Sequence, residues 1–204
     1  EGDYVSFASS DNHAGAHDVG KALAAALKEK GWQAAPFGIS AISQARKNGQ
    51  ARTKGFVEGM KAGGATGKQA SLQQMQAYTS EETFRFTQDM LAAHPDMRAL
   101  FVQTDQPTIG ALRAIKSARR KGQVLVAAFD GVPEFVELLR SGELVVSGMQ
   151  QPHLIGTRAA EALFASLAGK TPERQITVPI LAVTGKNIEQ LLPTIKQTVF
   201  ANEI

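Results

Sequence analysis

Short apolar segments alternate with helix-like segments along the whole chain, and this alternation is the feature that most limits the possible folds. Consecutive strands joined by a helix run parallel, and a parallel sheet is covered by helices on both faces. The pattern therefore predicts an α/β fold with a doubly wound parallel sheet. The strands are predicted at residues 4–8, 32–37, 70–77, 99–103, 124–129, 144–149 and 176–183.

Capping residues and breakers mark the ends of the predicted helices. Thr79 and Ser80 are followed by acidic residues, as is typical of a helix start, whereas Gly31 and the glycine-rich segment 63–67 end two others. Residues 38–43 are predicted to form a loop. The helices are predicted at residues 13–30, 44–61, 79–93, 108–118, 133–140 and 152–167, with a last one from residue 187.

The composition limits the class of protein. With 43% hydrophobic and 20% charged residues, the chain has the make-up of a globular protein, and its net charge of +3 is spread along the sequence. We therefore expect no nucleic-acid partner. The absence of cysteine excludes disulfides, thiol catalysis and cysteine-ligated metals. No apolar run approaches the ~20 residues of a membrane span.

The segment 124–133 contains the first candidate for a functional residue. An apolar run stops at Phe129, Asp130, Gly131 and Pro133, as a buried parallel strand does where it delivers a polar residue into a crevice. The glycine and proline allow the chain to turn while the Asp130 carboxylate faces outward.

Polar and aromatic residues follow the other predicted strands. In open α/β sheets, ligands bind in the crevice beyond the carboxyl ends of the strands. Carboxylate, amide, hydroxyl and aromatic groups suit a small polyhydroxylated molecule. Any single polar strand end is equally well explained as a helix cap, and Asp11 and Thr79 are read as plain caps. The strand-end set is Ser10, Asp11, Ser43, Tyr78, Thr104, Asp105, Phe129, Asp130 and Gln150.

Other chemistries have weaker support. His13 and His17 share a helix face, but no third metal ligand apart from Asp11 lies nearby. The glycine segments 63–68 and 169–171 lack the spacing of a phosphate loop. Asp105 and Asp130 are conceivable as an acid–base pair, yet a binding pocket needs the same carboxylates. We expect no enzyme activity, cofactor or metal.

Four segments taken together resemble periplasmic sugar-binding proteins of the ribose and galactose type. They occur in the order and with the spacing of that family, and residues 178–184 with Asn187 are similar to its final strand and helix. The segments are Ser9–Gly15, Phe101–Leu112, Ala128–Glu134 and Ser147–Gly156.

The resemblance implies a type I periplasmic-binding-protein fold, a two-lobed clamp that closes on a monosaccharide and presents it to an ABC permease or chemoreceptor. By position, Asp130 would accept from sugar hydroxyls with Phe129 packing beside it. Gln150 would contribute from the last hinge crossover and Ser10 from an earlier one.

Several positions depart from the family pattern. Thr104 and Asp105 stand where Asn-Asp is common. The expected arginine is ambiguous between Arg46 and Arg52, and Tyr78 stands near an expected aromatic ring. These departures bear on which ligand is bound.

The resemblance also predicts the domain organisation. Residues 10–150 would form one complete C-terminal-type lobe, and residues 1–9 and 151–204 would be hinge crossovers and a remnant of the N-terminal-type lobe. The rest of that lobe would be missing, so we expect a fragment, processed product or truncated protein. Such a chain would bind sugar weakly or not at all, and its exposed apolar faces would favour self-association or pairing with the missing segment.

Two further functions fit the same fold. The effector-binding domain of a lac-repressor-type transcription regulator shares the crevice, but it would carry an upstream helix-turn-helix. The periplasmic partner of a sensor kinase is the other alternative, and the sequence offers no test of it.

Overall fold

The computed structural model describes residues 3–201, which form eight strands and seven helices. The strands are β1 (Phe7–Ser10), β2 (Phe37–Ala41), β3 (Gln69–Gln74), β4 (Ala99–Val102), β5 (Leu125–Phe129), β6 (Val146–Met149), β7 (Gln175–Val178) and β8 (Leu181–Thr184). The helices are α1 (Asn12–Glu29), α2 (Lys47–Ala62), α3 (Ser80–Ala93), α4 (Asp105–Ser117), α5 (Phe135–Arg140), α6 (Pro152–Leu167) and α7 (Ile188–Thr198). Among these residues, no helix is long and apolar enough to cross a membrane.

Six strands form the main sheet in the order β3-β2-β4-β5-β6-β8. All neighbours pair in parallel except β8, which runs antiparallel to β6. The strands β1 and β7 form a separate two-stranded parallel sheet. The predicted α/β fold class with a doubly wound sheet is confirmed.

The side chains of β5 show how the main sheet is buried on both faces. Leu125, Ala127 and Phe129 belong to the core beneath α1 and α2, whereas Val126 and Ala128 belong to the core on the opposite face. The alternation follows from the two-residue repeat of a strand. Because both faces of the sheet are covered, β5 contains only apolar residues, and the first polar side chain, Asp130, comes after its end.

Glycines bring α1 and α2 close together. A Cβ at Gly55 would lie 2.2 Å from the His13 carbonyl oxygen, and one at Gly20 would lie 2.3 Å from the Phe56 carbonyl oxygen. Any side chain there would force the helices apart. This contact fixes α2, and with it Arg52, relative to the start of α1.

The second strand was predicted in the wrong place. Residues 33–35 form a turn and a bend, and β2 comprises Phe37–Ala41, of which only Phe37 was predicted as strand and the rest as loop. The strand is fully buried between β3 and β4. A Cβ at Gly38 would lie 2.9 Å from the sulfur atoms of Met90 and Met97, so small residues here serve packing rather than a turn.

Two other strand predictions need correction. The first strand begins at Phe7 rather than Tyr4. The predicted strand 176–183 is two strands, because residues 179 and 180 separate β7 from β8. Pro179 has no N–H to donate to a sheet, and the two parts pair with different sheets. The remaining strands and all seven helices are confirmed, with ends shifted by up to three residues.

The predicted division into lobes stays a prediction. The segment 151–204 does not lie with one sheet, since β7 pairs with β1, whereas β8 joins the main sheet. Ile188 and Ile195 of α7 also lie in the core of the main sheet. Residues 1–2 and 202–204 of the predicted remnant lie outside the described residues.

Candidate functional site

Polar side chains converge on Asp130 at the carboxyl ends of β4, β5 and β6. Thr104 Oγ1 donates to Asp130 Oδ2 at 3.2 Å, and Gln150 Nε2 donates to Oδ1. Arg52, from α2, places Nη1 at 3.3 Å from Oδ2. The Asp130 side chain retains 22% of its exposure, so the carboxylate is held from several sides and still reaches solvent.

The backbone around Asp130 explains why the carboxylate turns out of the sheet. Its φ of +66° lies in the left-handed region, which aspartate tolerates better than most residues. Its N–H donates to the Gly148 carbonyl at 2.9 Å, and its carbonyl accepts from Ser147 Oγ at 2.6 Å. Two bonds to β6 therefore hold this conformation.

Arg52 is the buried charge of the site, with 4% of its surface exposed. Its Nε donates to Asn12 Oδ1 at 2.8 Å and its Nη1 to the Gln103 carbonyl at 2.6 Å. Burial lowers the pKa of the guanidinium below its ordinary value, and the neighbouring Asp130 carboxylate opposes that shift. An arginine keeps its charge under these conditions, so the site contains a fixed cation beside a carboxylate.

Phe129 supports this cation from below. Its ring is fully buried, and the Arg52 guanidinium carbon lies 4.0 Å from the ring centroid. The resemblance predicted that Phe129 packs beside Asp130. The two residues are adjacent in the chain, but the Phe129 ring packs against the Arg52 guanidinium. In this structure its aromatic face is covered by the guanidinium.

A chain of hydrogen bonds runs from Arg52 towards the sheet edge at β3. The Gln103 side chain is fully buried, donates to Thr53 Oγ1 at 2.8 Å and accepts from the Ile42 N–H at 3.1 Å. Thr53 Oγ1 donates to Gln44 Oε1 at 3.0 Å. This network ties the loop after β2 to the helix that contains Arg52.

Tyr78 lies at the far end of this loop region. Its hydroxyl accepts a hydrogen bond from the Ser43 N–H at 3.0 Å, and its φ of +56° is in the left-handed region. The Glu82 carboxylate accepts from the N–H groups of Gln76, Ala77 and Tyr78 at 2.8 to 3.0 Å. A nearly buried carboxylate thus fixes the turn that presents Tyr78.

The structure separates the other predicted site residues. Arg46 precedes α2 and is exposed, so of the two candidate arginines only Arg52 is bonded to Asp130. Ser10 ends β1, and its Oγ is buried without a hydrogen-bond partner among the described residues. The Ser10 carbonyl accepts from Asn12 Nδ2 at 3.2 Å, and Asn12 Oδ1 in turn accepts from Arg52 Nε. Ser10 is therefore connected to Arg52 through Asn12.

Asn12 and Gln103 are residues of the site that the sequence reasoning missed. Asn12 was not among the predicted site residues, and Gln103 was predicted only as the last residue of a strand. Both bond directly to Arg52. A polar residue such as Gln103 at the end of an otherwise apolar strand was the signal available for it.

A cavity of about 230 Å³ adjoins the carboxylate. It is large enough for a small molecule with several hydroxyl groups. A wider cleft of about 440 Å³ between α1 and α5 is lined by alanine, leucine and glycine together with exposed charged residues, of which Lys186 and Glu29 pair with each other at 2.9 Å. The cavity beside the carboxylate is lined by Asp105, Asp130, Gly131, Gln150, Pro152, Ile155 and Val199.

The two histidines of α1 do not form a metal site in the structure. His13 Nε2 lies 2.8 Å from a Glu58 carboxylate oxygen, and His17 lies 3.6 Å from its neighbour Asp18. Within residues 3–201 no group of three potential ligands comes together. The histidines are surface residues of the first helix.

Comparison with known proteins places the chain in a family. A model described as "Periplasmic binding protein domain" matches residues 1–171. The chain belongs to this family. The resemblance read from the sequence is therefore confirmed.

Several curated relatives match most of the chain. A ribose import binding protein from Haemophilus influenzae is 30% identical over 184 residues, which cover 90% of this chain and 60% of the relative. A D-ribose/D-allose-binding protein from Pseudomonas aeruginosa is 32% identical, with 88% and 56% covered. The chain thus spans about 60% of the length of these relatives.

Solved structures show the same fold. A carbohydrate transporter solute-binding protein from Agrobacterium radiobacter in complex with D-arabinose superposes with a TM-score of 0.85 at 21% identity, covering 96% of this chain and 66% of that one. A periplasmic solute-binding protein from Actinobacillus succinogenes with bound D-allose gives 0.81 at 22% identity, covering 91% and 64%. The type I periplasmic-binding-protein fold is confirmed.

Proposed function

We propose that this chain provides a monosaccharide-binding site of a periplasmic solute-binding protein, centred on Asp130. The observation that carries the proposal is the convergence of Arg52, Thr104 and Gln150 on one partly exposed carboxylate. The groups come from different strand ends and from α2, so the fold itself builds the arrangement.

The chemistry of these groups suits neighbouring hydroxyls on a sugar ring. An ionised carboxylate has two oxygens that each accept hydrogen bonds, and the Gln150 amide both donates and accepts. The buried Arg52 holds the Asp130 carboxylate in place before a ligand arrives, which reduces the ordering needed on binding. The relatives named for ribose and allose and the structures with arabinose and allose favour a pentose or a closely related hexose.

The proposal includes the place and partners of the protein. Because the chain belongs to this family, we expect the protein to act in the periplasm and to deliver its sugar to an ABC permease or a chemoreceptor. We expect reversible binding without conversion of the sugar. The site residues proposed to contact the ligand are Asp130, Gln150 and Thr104, with Tyr78, Ser10 and Arg52 contributing contacts or support.

Nuclear magnetic resonance titration of the 204-residue chain tests the proposal, because it detects binding even at millimolar dissociation constants. The probes are ribose, allose and arabinose, with a sugar alcohol of equal size as a comparison. We expect at least one sugar to shift the amide resonances of Asp130, Gly131 and Gln150 in a saturable way.

The matched variant is Asp130→Asn, since asparagine has nearly the same size and also tolerates a positive φ. It should abolish the saturable shifts while the remaining spectrum stays folded. Shifts that persist in Asp130→Asn, or no saturable shift with any of the sugars, would overturn the proposal. Chemical conversion of a sugar would show an enzyme instead.

A further inference from the structure

The hydrogen bonds of the Arg52 guanidinium fall into a short pair and a long pair. The short bonds are 2.6 Å from Nη1 to the Gln103 carbonyl and 2.8 Å from Nε to Asn12 Oδ1. The contacts to Asp130 are longer, at 3.3 Å from Nη1 to Oδ2 and 3.5 Å from Nη2 to Oδ1. An arginine in full contact with a carboxylate forms two parallel bonds of about 2.8 Å. The other two partners of Arg52 therefore hold it at a distance from its carboxylate.

The position of the guanidinium is restrained from several directions. The Phe129 ring centroid lies 4.0 Å from the guanidinium carbon and blocks movement towards the ring. Gln103 contributes a main-chain carbonyl, which no substitution removes. Within residues 3–201, Asn12 is the only side chain besides Asp130 that accepts a hydrogen bond from Arg52. A substitution at Asn12 therefore removes one restraint and leaves the others in place.

A second hydrogen bond determines which end of the Asn12 amide faces Arg52. Nδ2 donates to the Ser10 carbonyl at 3.2 Å, so the acceptor Oδ1 is turned towards Arg52 Nε. Ser10 is the last residue of β1, and Asn12 is the first residue of α1. The orientation of the amide thus follows from the main chain between β1 and α1 and does not depend on Asp130.

We propose that Asn12 is a positioning residue, which keeps Arg52 from full contact with Asp130 and so leaves the carboxylate able to accept from a ligand. This role rests on the sugar-binding function proposed for Asp130. An ionised carboxylate has about four acceptor positions. Thr104 and Gln150 each donate to one of them, and two full bonds from Arg52 would occupy the rest. At the observed separations, Asp130 retains acceptor capacity for sugar hydroxyls.

Nuclear magnetic resonance titration with ribose, allose and arabinose measures the consequence for binding. In Asn12→Ala, Arg52 loses the partner of its Nε and can move into full contact with Asp130. The sugar dissociation constant should rise by about three- to tenfold, as the loss of one hydrogen bond to the ligand causes. Asn12→Asp keeps an acceptor of nearly the same size for Nε and should restore binding, although it cannot donate to Ser10.

Asn187→Ala is the matched control. Asn187 also stands at the start of a helix, is partly buried and uses both ends of its amide. Its Oδ1 accepts from the Thr184 N–H at 2.7 Å, and its Nδ2 donates to the Ala182 carbonyl at 3.0 Å. Thr184 pairs with Val146 at the start of β6, so this asparagine lies at the opposite edge of the main sheet from Asp130. Asn187→Ala should destabilise the chain as Asn12→Ala does and leave sugar binding unchanged.

Crystal structures of the wild-type chain and the three variants measure the separation of Arg52 and Asp130 directly, and a general loss of stability does not change that distance. In Asn12→Ala, both contacts should shorten towards about 2.8 Å. In Asn12→Asp and Asn187→Ala, the separation of the wild-type chain should remain. If no sugar binds the wild-type chain, the function proposed for Asp130 fails, whereas this separation still decides what Asn12 does.

Three outcomes would overturn the proposal. The first is a crystal structure of Asn12→Ala in which Arg52 and Asp130 stay as far apart as in the wild-type chain. The second is sugar binding by Asn12→Ala that is no weaker than binding by Asn187→Ala. The third is sugar binding by Asn12→Asp that is as weak as in Asn12→Ala, because the bond to Ser10 would then be what the site needs from Asn12.

Discussion

Arg52 Nη1 and Asp130 Oδ2 lie 3.3 Å apart although 78 positions separate the two residues in the chain. Arg52 comes from α2 on one face of the sheet and Asp130 from the end of β5 within it. The close contact between α1 and α2 and the buried ring of Phe129 determine where the guanidinium lies. The ion pair is therefore a product of the whole sheet and not of a local motif.

Arg52→Ala should destabilise the protein by about 2 to 4 kcal/mol, because the buried partners of the guanidinium lose their hydrogen bonds and Asp130 loses its cation. Arg46→Ala is the control, since Arg46 is exposed at the start of the same helix and should change stability by less than ~0.5 kcal/mol. Urea denaturation measures both. Equal effects of the two substitutions would show that Arg52 does not hold the site together.

Glu82→Gln should loosen the turn before α3. The carboxylate accepts from three backbone N–H groups, and an amide has one acceptor oxygen in place of two, so about 1 to 3 kcal/mol of stabilisation is lost. Hydrogen exchange at residues 76–78 should become faster. Glu81→Gln is the matched control, because Glu81 directly precedes Glu82 and its side chain is 72% exposed. If the amides of residues 76–78 keep their protection in Glu82→Gln, the carboxylate is not what fixes Tyr78.

The sequence predicted the residues that lie at strand ends better than it predicted how they connect. Asp130 was identified because an apolar strand with a glycine and proline after it is a local signal. Arg46 and Arg52 could not be separated, because the choice depends on how α2 packs on α1. The position of β2 also depends on packing that is distant in the sequence. Gly38 is needed there because Met90 and Met97 pack against it, but a glycine in that segment is locally typical of a loop. Asn12 and Gln103 were missed since their partner is distant in sequence.

Gly55→Ala should separate α1 from α2 and weaken the bond between Asn12 and Arg52. The added methyl would lie 2.2 Å from the His13 carbonyl oxygen, which has no room to move within its helix. We expect a loss of at least about 2 kcal/mol, as overpacking of a close contact causes. Gly156→Ala is the control, because that glycine is also inside a helix but has open space around it. It should be stabilising by up to ~1 kcal/mol.

Thermal unfolding of both glycine variants gives the comparison. Gly55→Ala with the stability of the wild-type chain would mean that the two helices can shift without loss, and the position of Arg52 would then need another explanation. The tryptophan Trp32 packs against the α1–α2 core and provides a fluorescence signal for the same transition.

The 204-residue chain should bind sugar with a millimolar dissociation constant at best. The carboxylate of Asp130 remains 22% exposed, and the cavity beside it, of about 230 Å³, is bounded by strand ends, the start of α6 and the end of α7. A site with this much open surface leaves much of a bound sugar in water, whereas tight small-molecule sites bury most of the ligand. Calorimetric titration with the sugars that shift the Asp130 resonance measures the constant. A micromolar value would contradict this expectation, because it would mean that this chain encloses its ligand by itself.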